Sequence, residues 1–337
     1  MKAGAYNAQS PLVSRVFVAL SDGEFHSGEE LAESLGVSRS AVWKAAQALR
    51  ELGMPMHAVR NRGYRWPNAT DPLDASRIRS ALPRRVRDKL ARLDVAWCVD
   101  STNTALVERP NPPVGKSEVL LAEFQTAGRG RRGRTWFAPP GGAVCLSLSW
   151  TFPQVPRDVG SLSLAIGVCV LRALGAHGVQ GVRLKWPNDV LLGDHKLGGI
   201  LIELRAESAG PASVVIGIGL NVALGADLIR KIAATGIRAT DLSGAGLQTP
   251  ARNLLVARLI ECCVNGLQEF EKDGLRSFVD EWRHADALRG REITVSGMEE
   301  VQSGVSRGID LSGALLVETR NGLKKFISGE VTVRPVA

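Results

Sequence analysis

The sequence predicts a multidomain α+β protein, and three observations carry that expectation. A chain of 337 residues, 45% hydrophobic and 23% charged, is long enough for two or three folded units and apolar enough to give each a core. Its first 66 residues show helical periodicity that closes on a short strand pair. Its middle alternates short apolar strands with longer helical stretches, which marks a mixed, mostly antiparallel sheet with flanking helices.

Within residues 10–66 the elements follow from local chemistry. Ser27-Gly28-Glu29-Glu30 is a capping box: the serine oxygen serves an orphan amide at a helix start, and Glu30 reaches back. That helix should end at Gly36. Ser38 can then cap a second helix, in which Val42, Ala45, Ala46 and Leu49 form one apolar stripe. Ser40, Trp43, Lys44 and Gln47 line the opposite face. Met56 to Val59 and Tyr64 to Trp66 read as a hairpin around Arg60-Asn61-Arg62-Gly63, where asparagine and glycine tolerate positive φ. Helix, turn, helix and hairpin together predict a winged helix-turn-helix. The residues it would offer to DNA are Ser38, Arg39, Ser40, Trp43, Lys44 and Gln47, with Arg60 and Arg62 at the wing.

Pro67 to Pro72 is a turn-rich connector, and Leu73 to Leu93 reads as a basic helical link into a larger domain. Strands are expected at Val95 to Val99, Val119 to Phe124, Ala143 to Trp150, Val182 to Trp186, Val190 to Leu192, Gly199 to Leu204 and Val214 to Val222, with helices at 157–176 and 250–273. Beyond 290, strands separated by Asp310-Leu311-Ser312-Gly313 and Asn321-Gly322 have the close spacing of a small barrel. The expected division is 1–66 for the head, 67–93 for the linker, 94–285 for the catalytic unit and 286–337 for the C-terminal barrel.

Composition narrows the functional classes. No apolar run is expected to cross a bilayer, and the N-terminal Val16 to Leu20 is too short for a signal peptide. Cys98, Cys145, Cys169, Cys262 and Cys263 contain no C-x-x-C pair, which argues against a zinc site or disulfide framework and for a reducing cytoplasm. The net charge of +8 is concentrated. Residues 67–92 hold seven basic groups against three acidic ones, and Arg129, Arg131, Arg132 and Arg134 add four more, a distribution that points to anionic ligands. The five histidines are dispersed and no Ser-His-Asp or Cys-His pattern emerges, so a protein nucleophile is not expected.

Gly128 to Arg134 packs four guanidinium groups and three glycines into seven residues. Such a loop can approach and neutralise polyphosphate, and taken alone it equally suits an RNA contact or a mobile solvated loop. Lys185-Trp186-Pro187-Asn188-Asp189 places a lysine at a strand end, where a fixed ammonium suits charge developing on phosphorus. Asn188 and Asp189 either shape that turn or help hold magnesium beside phosphates. Gly217-Ile218-Gly219-Leu220-Asn221 is a glycine-punctuated strand, and Ser101-Thr102-Asn103-Thr104 offers hydroxyl and amide groups at a helix start; close packing or capping alone would explain either.

Taken in order, Ser101-Thr102-Asn103, Gln125-Thr126-Ala127 with the arginine loop, Lys185 to Asp189, Lys196 to Glu203 and Gly217 to Asn221 resemble the biotin protein ligase family. The resemblance extends through Ser306 to Asp310 and Ser328-Gly329-Glu330-Val331, and back through the head, as in the bifunctional type that is also the biotin operon repressor. It implies a catalytic domain of the class II synthetase and biotin ligase type and an SH3-like barrel. It implies biotin contacts from Ser101, Thr102, Asn103, Gln125, Arg129, Gly130, Arg131 and Lys185. Adenylate contacts would come from Arg129, Arg131, Arg132, Trp136, Lys185, Asn188 and Asn221, with Lys185 and Arg131 catalytic. ATP, Mg2+ and biotin are the implied ligands, with no protein-held metal centre. The implied partners are the biotin carboxyl carrier protein of acetyl-CoA carboxylase, operator DNA, and a second copy of the chain once biotinyl-AMP is bound as corepressor. The competing readings are a lipoate-type protein ligase, a ligase whose head no longer represses, and a DNA-binding sensor without turnover.

Overall fold

The computed structural model describes residues 10–54, 56–67, 69–206, 210–244, 251–296, 301–327 and 332–335. The head holds α1 (Pro11–Ala19), α2 (Gly28–Leu35), α3 (Arg39–Glu51), β1 (His57–Val59) and β2 (Gly63–Arg65). Both capping arrangements form. Ser27 accepts from the Glu30 amide at 3.0 Å while Glu30 accepts from the Ser27 amide, and Gly36 closes α2 at φ 66°. Ser38 accepts from the Ala41 amide at the start of α3. Val42, Ala45, Ala46 and Leu49 are buried, whereas Ser40, Trp43 and Lys44 are exposed. Asn61 turns the wing at φ 62°, and Gly63 lies so close to the His26 carbonyl that a side chain there would collide.

Behind the head, α4 (Ala75–Ala81) and α5 (Arg84–Arg87) lead into a seven-stranded sheet. Its strands are β3 (Leu90–Val99), β4 (Ser117–Gln125), β5 (Ala143–Phe152), β6 (Val182–Lys185), β7 (Asp189–Leu192), β8 (His195–Ala206) and β9 (Ala212–Asn221). They lie in the order β3-β4-β5-β9-β8-β7-β6, and only β3 and β4 run parallel. The helical expectation for 73–93 is corrected at its end. Asp74 caps α4 and Pro83 breaks the helix, but from Leu90 onward the chain pairs with β4 and is strand. The burial of Ile78, Leu82 and Val86 in the central core further makes these helices part of the packed domain.

Alternation along β5 explains how one buried strand serves two environments. Val144, Leu146, Leu148, Trp150 and Phe152 join the main core beneath α7 (Leu162–Ala176) and α9 (Arg252–Asp273). Ser147, Ser149 and Thr151 face the other side, which is covered by α6 (Thr102–Val107). The main core thus packs on one sheet face, and polar groups collect on the other. One expectation about membrane-crossing length needs correction: residues 159–176 are long and apolar enough to span a bilayer by length and composition. Most of that stretch is buried in the core, where a fully apolar helix is required.

α10 (Val279–Ala285) leads to the C-terminal unit, whose strands are β10 (Glu292–Ser296), β11 (Val301–Ile309), β12 (Leu315–Thr319), β13 (Gly322–Phe326) and β14 (Thr332–Pro335). They form an antiparallel sheet in the order β13-β12-β11-β10-β14. Ile293, Val295, Ile309, Leu315 and Val317 share the central core, so this sheet packs directly on the catalytic unit. The Ser328-Gly329-Glu330-Val331 stretch lies outside the described residues.

Candidate active site

A cavity of about 1160 Å³ opens on the polar face of the large sheet. Among its lining residues are Ser101, Thr102, Asn103, Gln125, Arg129, Gly130, Arg131, Arg132, Trp136, Lys185, Asn188 and Asn221. All the residues predicted from sequence to bind biotin or the adenylate therefore meet in one place, although they come from four separate stretches of chain, 101–103, 125–136, 185–188 and 221.

At one end, α6 starts with Ser101 as its cap, and Ser101, Thr102 and Asn103 are each almost fully buried. Gln125, at the end of β4, accepts from the Thr102 amide at 2.8 Å and from its hydroxyl at 3.1 Å. The Ser147 hydroxyl of β5 lies 2.6 Å from Asn103 Oδ1 and 2.7 Å from Thr102 Oγ1. Asn103 Nδ2 donates to Glu203 at 2.9 Å. The result is a buried, pre-bonded polar floor, and rearranging it would leave buried polar groups unpaired. Gly217 permits it: a Cβ there would sit 2.4 Å from Asn103 Oδ1. Gly219 does the same for Trp136, whose indole would meet a Cβ at 2.5 Å. The two glycines, which the sequence alone leaves ambiguous, are sockets for these side chains.

Above the floor, residues 128–136 form a narrow loop closed by Gly130 N donating to Arg134 O and Trp136 N donating to Gly128 O. Arg132 and Gly133 both take positive φ at its tip. Arg129 pairs with Glu203 at 3.1 Å, and Arg131 donates to Asn188 Oδ1 at 3.3 Å. Burial, followed by the neighbouring Arg132, pulls the Arg131 guanidinium below its usual pKa. That shift marks a charge held in a partly desolvated site, where an anion would relieve it.

Lys185 ends β6 immediately before the cis Trp186-Pro187 turn, and Asn188 is fixed by donating to Ile200 O at 2.9 Å. Asp189 pairs with Lys196 at 2.5 Å. Lys196 was not assigned a role from the sequence, yet it lines the same cavity and its amine lies beside Gly199, close to Trp136. The run Lys196-Leu197-Gly198-Gly199 carried the signal, and at Gly198 a Cβ would sit 2.7 Å from the Gly219 carbonyl oxygen, so a side chain there would crowd the β8–β9 pairing. Asn221 donates to Thr240 O at 2.9 Å, tying β9 to the segment behind Lys196. α8 (Ala226–Ala233) packs Leu228, Ile229 and Ile232 toward Trp136, and its apolar positions are too sparse to single out from sequence. Cys145 also lines the cavity, but burial pushes its thiol up to about 12, so it is not a nucleophile near neutral pH. Among the described residues, no group of three or more His, Cys, Asp or Glu converges as a metal site would.

The residues predicted from sequence to face DNA assemble separately. Arg39, Ser40, Trp43 and Lys44 stand exposed on α3, Gln47 is partly buried, and Ser38 is engaged as the helix cap. Arg60 and Arg62 are exposed on the wing, and Arg62 stacks 4.2 Å above the Phe25 ring. The head and the cavity do not share residues.

Comparison with known proteins gives a consistent result along the chain. Residues 95–221 match the biotin/lipoate A/B protein ligase family, residues 16–65 match an HTH domain, and residues 289–334 match the biotin protein ligase C-terminal domain. The chain is 40% identical over 317 residues to the bifunctional ligase/repressor BirA of Salmonella typhimurium, covering 94% of this chain and 95% of that one. It is 37% identical over 322 residues to BirA of Escherichia coli, covering 95% and 96%. Among solved structures, the biotin protein ligase from Aquifex aeolicus in complex with biotin and ATP superposes with a TM-score of 0.62 at 28% identity, covering 73% of this chain and all of that one.

Proposed function

The chain belongs to the family of bifunctional biotin protein ligase/repressors, and on that premise we propose how its residues activate biotin with ATP and transfer it to a protein lysine. The observation that carries the assignment is the single cavity in which a pre-bonded polar floor, an arginine loop and two fixed lysines meet. The floor of Ser101, Thr102, Asn103 and Gln125 holds the polar head of biotin, with Arg129 and Gly130 at its rim. Lys185 and Arg131 face the α-phosphorus, and Trp136, Asn188, Asn221 and Arg132 serve the nucleotide.

The reaction runs in two steps. A biotin carboxylate oxygen attacks the α-phosphorus of ATP, breaking the bond to pyrophosphate and giving the mixed anhydride biotinyl-AMP. The neutral amine of the acceptor lysine then attacks the acyl carbon, expelling AMP and losing its proton. Fixed cations lower the barrier to the first step because they are already oriented toward the charge that develops. The arginine loop keeps water from the anhydride between steps. Mg2+ would accompany the phosphates and neutralise their charge. Asp189 and Asn188 line the cavity and would offer the ion oxygen donors, although Asp189 already balances Lys196.

The acceptor is the biotin carboxyl carrier protein of acetyl-CoA carboxylase, and the protein works in the cytoplasm. The head, 1–66, reads operator DNA; 67–72 is the connector, 73–93 packs into the catalytic unit that continues to 285, and 286–337 is the C-terminal unit. Biotinyl-AMP acts as corepressor by favouring a homodimer that presents two heads to a two-fold operator. ATP–pyrophosphate exchange supported by biotin, but not by lipoate or octanoate, is the expected result. Exchange supported equally by the fatty acids would overturn the choice of acid.

A further inference from the structure

Glu203 stands on β8 opposite Val215 of β9 and is not among the residues lining the cavity, yet it is bonded to two parts of it. One carboxylate oxygen accepts from Asn103 Nδ2 at 2.9 Å, and the other lies 3.1 Å from Arg129 Nη2. Asn103 is almost fully buried and its Oδ1 is already engaged by Ser147, so Glu203 and the Leu201 carbonyl fix the other end of its amide. Arg129 stands at the base of the arginine loop, where it bridges to Thr135, and its second arm donates to Thr104 Oγ1 of α6 at 3.2 Å. A single carboxylate thus spans the floor that receives the acid and the loop that covers it.

We propose that Glu203 is a positioning residue that orients Asn103 for the acid and holds the base of the arginine loop through Arg129. The inference rests on the ligase reading for its substrate, but the coupling itself is a property of the protein without ligand. The two contacts make different demands. Asn103 needs only an acceptor, which a glutamine oxygen also supplies. Arg129 is about half exposed and responds to charge, which glutamine lacks.

The test is the pair E203Q and E203A in the full chain, alongside R129A. In E203Q the KM for biotin stays near that of the parent, while release of biotinyl-AMP in single-turnover experiments rises about 3-fold, the scale of a half-exposed ion pair. In E203A the KM for biotin also rises, by about 10-fold, because a buried amide donor loses a partner. Adding E203Q to R129A then accelerates release no further than R129A does alone. Without ligand, the backbone amides of 128–135 exchange about 3-fold faster with solvent in E203Q than in the parent. The proposal is overturned if E203Q and E203A behave alike, if the E203Q and R129A effects multiply independently, or if exchange in 128–135 is unchanged. Failure of the parent protein to make biotinyl-AMP would instead overturn the ligase reading, and the exchange measurement would still decide the role of Glu203.

Discussion

At the scale of single residues, the positions that matter most combine a charge with a rigid mount. Lys185 closes a β-strand beside the Trp186-Pro187 turn, and in the role proposed for it a charge on such a mount contributes mainly to the transition state. Lys185→Ala is expected to lower the rate of adenylate formation by about 100- to 1000-fold with the fold intact, as loss of a preorganised donor does. Pyrophosphate exchange and far-UV circular dichroism check both halves. Arg131 is different because it belongs to the loop and is tethered by Asn188. Arg131→Ala is expected to speed loss of biotinyl-AMP more than it slows its synthesis. Equal effects on both rates would remove the lid role.

Among the elements, α3 and the wing form one structural unit and the C-terminal sheet another. The apolar stripe of α3 is buried, which forces Ser40, Trp43 and Lys44 outward, while Phe25 props Arg62 on the wing. Lys44→Ala combined with Arg62→Ala should abolish the mobility shift of the chain's own upstream DNA in the presence of biotin and ATP, while biotin transfer continues. The remaining binding of single variants should fall less steeply with salt than that of the parent, since each phosphate contact adds about one unit of slope. In the C-terminal sheet, Asp310 shapes the turn between β11 and β12. Burial would raise its pKa, but hydrogen bonds from Ser312, Lys325 and the Ala314 amide lower it to about 2. A carboxylate held below its unfolded value stabilises the fold above pH 4 and ceases to do so as pH falls toward 2. Asp310→Asn should cost about 1 kcal/mol at neutral pH, after allowance for solvent screening, and next to nothing at pH 2. Urea unfolding at the two pH values measures the difference.

Across the whole molecule, the three units are bonded into one another as well as joined in sequence. Phe17 of the head packs on Trp97 of β3 with centroids 5.1 Å apart, and Trp66 lies against Gly141. At this seam Arg252 and Glu123 form a buried ion pair at 2.9 Å, with Glu123 also accepting from the Leu73 and Gly141 amides. On the other side, the Trp186 indole donates to Gly313 O at 3.0 Å, pinning the C-terminal sheet beside the turn that carries Lys185. Removing one partner of a buried pair leaves the other charge without compensation. Arg252→Ala should therefore destabilise the chain by about 3–5 kcal/mol, and Arg252→Ala with Glu123→Gln by less than the sum of the single changes. Thermal or urea unfolding of the four proteins tests this cycle.

The sequence by itself determined the head, because caps, glycine stops and 3.6-residue periodicity are local and the head's helices obey them. It also determined most strands of the large sheet, whose apolar runs reflect burial, and a dozen of the residues that line the cavity. What only the tertiary structure decided has a common physical origin in contacts distant along the chain. Leu90 is strand and not helix because β4 offers it a parallel partner. Lys196 and Glu203 acquire their places from Asp189, Asn103 and Arg129, all at least seven residues away. The glycines at 217 and 219 become sockets only when Asn103 and Trp136 arrive from other segments, and no periodicity within β9 can announce a neighbour that folding has yet to bring.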